Sequence, residues 1–425
     1  MRVGLFLYRS ITKLLTPFAG MVLQSRVRRG KESPRRLNER VAKQLAARPD
    51  GPLIWFHAAS VGESLIQVAL AQAILKQGYS ANLLFTCQTL TGADVINESL
   101  SNDSTLTDVW TLQQMAPLDL PRSARRFVEH WRPDLTVFAE GDIWPNLLGE
   151  LEKRNIPSVL TNARMTDKSL TGWSQWPKTA KTVFGYLDLI LASDKQTAMG
   201  IESLVGHPVP CPGNLKSALP PLTVAESELQ DLQSALAGRA VFVASSTHQG
   251  EEALFIDAIM QMTPKPFAII APRHPERGDQ VEALLECSNL KICRRSREDA
   301  LTADTDVLLA DTMGEMGLWY RLADIVYLGG GHSPGVGGHN PLEPIRLGKT
   351  VLTGPSLFNF SDITKNLVEL KGLIIVNSVA EIVGNFSAPA PPKSLLDNLN
   401  DNALEPMNAT VEALRPFLDS MQATR

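Results

Sequence analysis

Residues able to do chemistry gather where strand-like runs of this 425-residue chain give way to helix-like ones. Four such junctions share a form: small or polar residues, then a glutamate near the helix start. They are Ala58–Ser64 (AASVGES), Ser245–Glu252 (SSTHQGEE), Ala310–Gly317 (ADTMGEMG) and Gly337–Pro344 (GGHNPLEP). Each offers free backbone N–H groups and the positive end of a helix dipole, a setting that suits phosphate. The same residues also suit plain capping. Ser60-x-x-Glu63 and Asn340-x-x-Glu343 have capping-box spacing, and Pro341 fits a first helical position. Three of the four junctions fall in the second half, where Pro272–Arg277 (PRHPER) ends a further strand-like run. Its Arg273 can meet a phosphate in fork geometry. Gly337 and Gly338 let a ligand approach the backbone. Glu343, one turn into its helix, can accept the two hydroxyls of a ribose. This constellation reads as a nucleotide site. It is neither a P-loop nor a dinucleotide fingerprint, because neither glycine motif is present.

The first half supplies carboxylates. Glu63 sits at a strand-to-helix turn, where it could act as general base on a hydroxyl. Glu140 and Asp142 follow the run DLTVF and could cap a helix, fix an arginine or polarise a substrate. Arg164 ends PSVLTNAR and suits an anion, and His248 is a further candidate for contact with substrate. Lys216 lies in a proline-rich break, His207–Leu222, from which a cation can reach either half; in isolation it reads as a solvated charge. His332 and His339 stand seven residues apart in the glycine loop Gly329–Pro344, without H-x-x-H or H-E-x-x-H spacing, so a metal site there is the weaker reading.

Alternating strands and helices must position these groups. PLIWFHAA, ANLLFTC, DLTVFAE, PSVLTNAR and LDLILAS read as strands before the break. RAVFVASS, PFAIIAPR, VLLAD, DIVYLGG, TVLTG and GLIIVN follow it. Continuous apolar strands alternating with helices indicate parallel sheets covered on both faces. The expected fold class is α/β, with two doubly wound domains facing a central cleft and ligands at the carboxyl ends of the strands. Expected boundaries are a basic amphipathic segment over 1–50, a first domain over 51–210, a linker over 211–225 and a second domain over 226–425. Disorder is expected only near Ser387–Lys393 and in the last few residues.

Charge is distributed unevenly. Residues 1–50 hold twelve Lys/Arg against three acids, although the whole chain carries a net charge of -4. A basic head on an acidic body points to a local anionic partner. Apolar residues from Val3 to Leu23 share that head, interrupted by Arg9 and Lys13 and shorter than a comfortable spanning segment. An amphipathic helix lying in a membrane interface fits, with Ser25–Lys31 (SRVRRGK) on anionic headgroups; a helix packed on the protein itself is the alternative. The head has few aromatics to stack bases, which argues against nucleic acid. The four cysteines lack C-x-x-C spacing and read as reduced thiols.

In combination the motifs resemble the 3-deoxy-D-manno-oct-2-ulosonic acid (Kdo) transferases. Ser60-Val61-Gly62-Glu63, WPNL, TNAR, STHxGEE, PRHPER, DTMGE, GGHNPLE and GPxxFNF occur in that order over nearly the whole chain. The resemblance implies a GT-B fold of two Rossmann-like domains with an N-terminal membrane-associated helix. It implies CMP-Kdo as donor and a lipid A precursor as acceptor, at the cytoplasmic side of the inner membrane, with no metal or other cofactor. It carries Glu63 as catalytic base and Glu140 and Lys216 as transition-state stabilisers. It carries Pro272, Arg273, Met313, Gly314, Glu315, Asn340, Pro341, Leu342 and Glu343 as CMP contacts. Arg164 or Lys216 would meet the Kdo carboxylate. The chain departs from the family pattern at Asp142, where many members have Glu. It departs again at Ser217-Ala218, where they have Phe-Asp, and at Gly335-Val336, where they have Glu-Arg. A divergent GT-B transferase using another CMP- or UDP-activated sugar stays open, as do an epimerase and a catalytically silent membrane-bound scaffold.

Overall fold

The computed structural model describes residues 3–219 and 224–423. Pro220–Thr223 of the expected linker and the last two residues of the expected disordered tail lie outside them. The chain forms two compact units, Met1–Leu219 with Ala403–Arg425, and Pro220–Asn402.

The first unit is built on a six-stranded parallel sheet. Its strands are β1 (Leu53–Ala58), β2 (Asn82–Cys87), β3 (Thr111–Met115), β4 (Leu135–Ala139), β5 (Ser158–Ala163) and β6 (Leu189–Ala192), in the order β3-β2-β1-β4-β5-β6. Every residue of β1, β4 and β5 is buried, as expected for strands covered on both faces. Trp55 anchors one face, its ring centroid 4.6 Å from Phe127 and 5.6 Å from Phe138. Strand β3 escapes a hydrophobicity reading because its sequence is TLQQM. Its Gln113 is buried all the same, and Gln113 Oε1 accepts from Arg36 Nη2 at 2.8 Å.

The second unit carries β7 (Val241–Thr247), β8 (Phe267–Pro272), β9 (Ile292–Arg294), β10 (Val307–Leu309), β11 (Ile325–Leu328), β12 (Thr350–Thr353) and β13 (Leu373–Ile375). These make one parallel sheet ordered β13-β12-β11-β7-β8-β10-β9. Each sheet reverses its winding once. The crevice between β1 and β4 is the switch point of the first, and that between β7 and β11 is the switch point of the second. Strand ends at such points are where doubly wound sheets bind ligands.

Two terminal segments differ from the expected boundaries. The helix Glu405–Ala423 belongs to the first unit, not to a domain running to the end of the chain. Its Met407, Val411, Leu414, Leu418 and Met421 form one apolar stripe, which joins Ile66, Leu70 and Ile74 of the helix Val61–Lys76 in a common core. The N-terminal segment also belongs to this unit. In the helices Val3–Leu15 and Ala19–Arg28, Leu5 and Leu23 are buried, and the Tyr8 hydroxyl donates to Asp119 Oδ2 at 2.8 Å. Asp119 in turn accepts from the backbone N–H groups of Asn146 and Leu147, at the start of the helix Pro145–Glu152. Buried Arg40 donates to Gln88 Oε1 and the Ala116 carbonyl and pairs with Glu32, which ties the segment to the ends of β2 and β3. The other side of these helices exposes Phe6, Leu14, Phe18 and Met21. Among the described residues no helix is long and apolar enough to cross a membrane. Ser387–Lys393, expected to be disordered, is seated: Thr350 Oγ1 donates to the Pro389 carbonyl at 2.6 Å, and Phe386 and Ala388 pack on the second core.

Candidate active site

In the first unit the switch point collects carboxylates. Strand β1 ends at Ala58 and the next helix begins at Val61 with Ser60 as its N-cap. Ser60 Oγ accepts from the Glu63 backbone N–H and donates to Glu63 Oε1 at 3.0 Å, while the Ala59 N–H donates to Glu63 Oε2 at 2.7 Å. Capping and chemistry therefore share one residue. The capping bonds hold the Glu63 side chain still, and its place in the first turn favours the anion. Burial works the other way and raises the Glu63 carboxyl above the ordinary range, helped by the charge of Glu140.

Glu140 directly follows β4 with φ of 51°, a left-handed conformation uncommon outside glycine. Such strain persists only where the surroundings over-determine it. Here the Glu140 N–H donates to the Thr161 carbonyl, and the Glu140 carbonyl accepts from the Arg164 N–H. The outcome is a side chain aimed at Lys216, whose Nζ lies 2.7 Å from Glu140 Oε1. Lys216 is not a free charge in a linker. It sits on a short turn, Leu215–Ala218, held to β5 by Asn162, whose Oδ1 accepts from the Leu215 N–H at 2.9 Å and whose Nδ2 reaches Glu140 Oε1 at 3.4 Å. The first unit thus brings together Glu63, Glu140 and Lys216, three residues separated by more than 150 positions, with the Arg164 backbone beside them. Sequence reading passed over His57, fully buried on β1. Its Nε2 lies 3.7 Å from Asp142 Oδ2, and no spacing rule would have found it.

In the second unit the strand ends collect N–H groups, imidazoles and arginines. The Arg273 N–H donates to the Thr247 carbonyl, fixing the end of β8 beside that of β7, with the Arg273 side chain exposed. Met313 and Gly314 follow β10 on an exposed turn, Met313 being 68% accessible. The Glu315 carboxylate is held by Arg295 and Thr312, and Asp311 by Arg294 Nε at 2.6 Å. This arginine pair was not singled out from the sequence. Beside it opens a cavity of about 450 Å³ lined in part by Cys293, Arg295, Ser296 and Thr312. Arg277 pairs with buried Glu252 at 2.6 Å, leaving Arg273 as the PRHPER arginine on the surface.

The glycine loop divides in two. Its first part is pinned by Glu251, whose carboxylate accepts from the N–H groups of Gly330, His332 and His248. Those donors are consumed within the protein. His332 bonds through Nδ1 to the Tyr327 hydroxyl at 2.8 Å, whereas His339 meets His248 Nε2 to Nε2 at 2.8 Å, so the two loop histidines have different partners. His248 and His339 stack at 5.1 Å, and burial holds both below the ordinary histidine range, His339 at about 4. The second part starts the helix Leu342–Arg346. Asn340 Oδ1 accepts from the Leu342 N–H and its Nδ2 donates to Glu343 Oε1, with Pro341 just before the first turn. Gly337 and Gly338 have φ of 77° and 78°. A Cβ at Gly337 would fall 2.4 Å from the Phe358 ring, and one at Gly338 2.5 Å from Leu357. The close approach that these glycines permit is to the chain's own side chains, which differs from the expected approach of a ligand.

Comparison with known proteins agrees with this geometry. Residues 35–219 match the family model for 3-deoxy-D-manno-octulosonic-acid transferase (kdotransferase). A probable mitochondrial 3-deoxy-D-manno-octulosonic acid transferase of Arabidopsis thaliana is 32% identical over 390 residues, covering 88% of this chain and 86% of that protein. The 3-deoxy-D-manno-octulosonic acid transferase of Haemophilus influenzae is 31% identical, covering 87% and 86%. The chain belongs to the 3-deoxy-D-manno-octulosonic acid transferase family. It is a glycosyltransferase. Among solved structures, UDP-GlcNAc 2-epimerase from Neisseria meningitidis superposes with a TM-score of 0.57 at 14% identity, over 86% of this chain and all of that one, a likeness of GT-B fold alone. For a Kdo transferase family member the two strand-end clusters are the natural places to look for the sugar-transfer machinery.

Proposed function

We propose that the protein transfers Kdo from CMP-Kdo to a lipid A precursor with inversion at the anomeric carbon, as part of lipopolysaccharide core synthesis. The observation that carries this reading is the grouping of Glu63, Glu140 and Lys216 at the end of the first sheet. Glu63 takes the proton from a glucosamine hydroxyl of the acceptor. That oxygen forms the new bond to the anomeric carbon, and the bond to phosphate breaks on the opposite face, its electron pair leaving with CMP. Burial keeps Glu63 basic enough to accept the proton, and its capping bonds hold it in place. Lys216, paired with Glu140, stabilises charge that grows in the transition state. Arg164 or Lys216 meets the Kdo carboxylate, and His248 is a further candidate for substrate contact.

In the second unit Arg273 meets the departing phosphate. Pro272, Met313, Gly314, Glu315 and Asn340–Glu343 surround the nucleoside, with the Glu343 carboxylate on the ribose. The cavity beside Thr312 is within the volume range of small-ligand sites. The exposed apolar residues of the two N-terminal helices, next to Arg28, Arg29 and Lys31, support docking on an anionic membrane, taken here as the cytoplasmic side of the inner membrane. The test is mass spectrometry of the product formed by the full-length protein from CMP-Kdo and a lipid A precursor, beside calorimetric titration of CMP against UDP. A product heavier by Kdo and a preference for CMP are expected. A clear preference for UDP would overturn the donor and favour a transferase of another activated sugar.

A further inference from the structure

Two histidines to which the proposed mechanism gives no defined task meet over the switch point of the second sheet. His248 lies just past the end of β7, and His339 lies in the glycine loop that follows the neighbouring strand, β11. Both are half-buried. Gly330, two residues past β11, leaves room for His339, since a Cβ there would fall 3.0 Å from His339 Cδ2. The Arg273 N–H donates to the carbonyl of Thr247, the residue before His248, and the His274 ring centroid is 6.0 Å from that of His248. The histidine pair therefore shares one loop cluster with the arginine assigned to the phosphate.

The Nε2 atoms of His248 and His339 are 2.8 Å apart, with the ring planes within 5° of each other. A nitrogen–nitrogen contact that short is a hydrogen bond, with one proton given by one ring and accepted by the other. A metal does not account for it: among the described residues no group of three or more His, Cys, Asp or Glu could hold an ion. The bridge also fixes the remaining proton. The ring that donates from Nε2 has a bare Nδ1, and the ring that accepts carries its own proton on Nδ1. Neither Nδ1 has a partner among the described residues, and neither is sealed from solvent. The neutral pair thus presents one donor and one vacant acceptor. A further proton on the vacant Nδ1 makes both Nδ1 atoms donors and spreads one positive charge across the bridge.

The surroundings keep the pair neutral until an anion arrives. Burial opposes the further proton, and so do Arg273, His274 and Arg277 from the end of β8. Glu251 favours it at His248, but its carboxylate already accepts from the N–H groups of Gly330, His332 and His248. Arg277 is held by Glu252. A phosphate bound to Arg273 cancels that arginine's repulsion and adds negative charge of its own, which reverses the balance.

We propose that His248 and His339 together form a proton-accepting phosphate site, neutral beside the intact sugar–phosphate diester and cationic once the departing phosphate has become a dianion. This rests on the reading of the donor as a CMP-activated sugar. When the bond to the anomeric carbon breaks, its electron pair stays on the phosphate oxygen, and the charge of the phosphate rises from one to two. One proton from buffer or hydronium then settles on the vacant Nδ1. It returns to solvent when CMP dissociates, separately from the proton that Glu63 takes from the acceptor.

Calorimetric titration of CMP into the full-length protein at about pH 7, in two buffers of different ionisation enthalpy, counts the protons taken up. Free CMP is mostly a dianion there, because a second phosphate pKa is about 6, so uptake reports on the protein. About half to one proton per CMP is expected, and close to none for cytidine, which lacks the phosphate. In the double variant His248→Gln with His339→Gln, whose amides cannot ionise, the uptake should vanish and CMP affinity should fall about tenfold. A heat of CMP binding that is independent of buffer in the unaltered protein overturns the proposal, whether or not the variant folds, and leaves the donor assignment standing. Uptake that persists in the double variant overturns it too. Binding of UMP in place of CMP, with the same uptake, overturns the donor assignment and supports the role of the pair. Binding of neither nucleotide overturns both.

Discussion

The ends of the two parallel sheets are built alike and furnished differently. At the end of the first, carboxylates crowd together, and Lys216 pairs with one of them. At the end of the second, Glu251 and Glu252 are turned inward to bind loop N–H groups and Arg277, while Arg273 and the Met313–Gly314 turn stay exposed. The same doubly wound scaffold thus makes one strand edge suited to moving a proton and another suited to holding an anion. The difference comes from which side chains are left over once each loop has satisfied its own backbone. In the first unit capping leaves a carboxylate held but basic. In the second it consumes the carboxylates and leaves cations.

The largest test of that contrast is Glu63→Gln. Transfer should fall about 10²–10⁴-fold, the range of a lost general base, with the CMP dissociation constant unchanged. An equal loss of CMP affinity would erase the division between the two edges. Lys216→Ala should lower kcat about 10²-fold, as for removal of one preorganised donor, again without weakening CMP in calorimetry. Arg273→Ala should behave in the opposite sense. CMP binding weakens about 10–100-fold, the worth of a charge-assisted hydrogen bond, and the shape of the acid limb of the pH profile stays the same.

The smallest effect concerns stability. Burial, with the charge of Arg40 adding, holds His57 at about 3 against an ordinary value of 6.5. The unfolded chain takes up a proton below pH 6.5 and the folded one does not. His57 therefore costs no stability above that pH, and stability falls as pH drops from 6.5 toward 3. At pH 5.5 the loss is about 1 kcal/mol, and His57→Gln should remove it in denaturant titrations of the first unit. The second unit should show a smaller loss of the same sign from His339, which burial holds at about 4.

Much of this was legible in the residues. The apolar runs of β1, β4, β5, β7, β8 and β11 sit where continuous hydrophobicity places them. Strand β3 is hidden by two glutamines in its pattern, and β9 by the arginine that ends its short ICR and the polar residues beyond it. The spacing Ser60-x-x-Glu63 announced the held carboxylate, since a capping box is a local device readable over four residues. Lys216 read as an isolated charge because its partner, Glu140, is 76 positions away and pairs with it directly only once the turn at Leu215 is anchored on Asn162. The two loop histidines looked like a pair because they are near in sequence. Tyr327 and His248, on different strand ends, separate them.

By itself the sequence determined the class of fold, the strand ends at which chemistry gathers and the family to which the chain belongs. Those follow from periodicity and from motifs whose residues act within one turn of each other. Only the tertiary structure decided that the last helix returns to the first unit, that Glu251 accepts from N–H groups of the glycine loop, and that buried Asp142 lies 3.7 Å from His57. Each of these depends on contacts between segments far apart in the chain. A carboxyl's protonation is set by what surrounds it in space, and no local spacing encodes that.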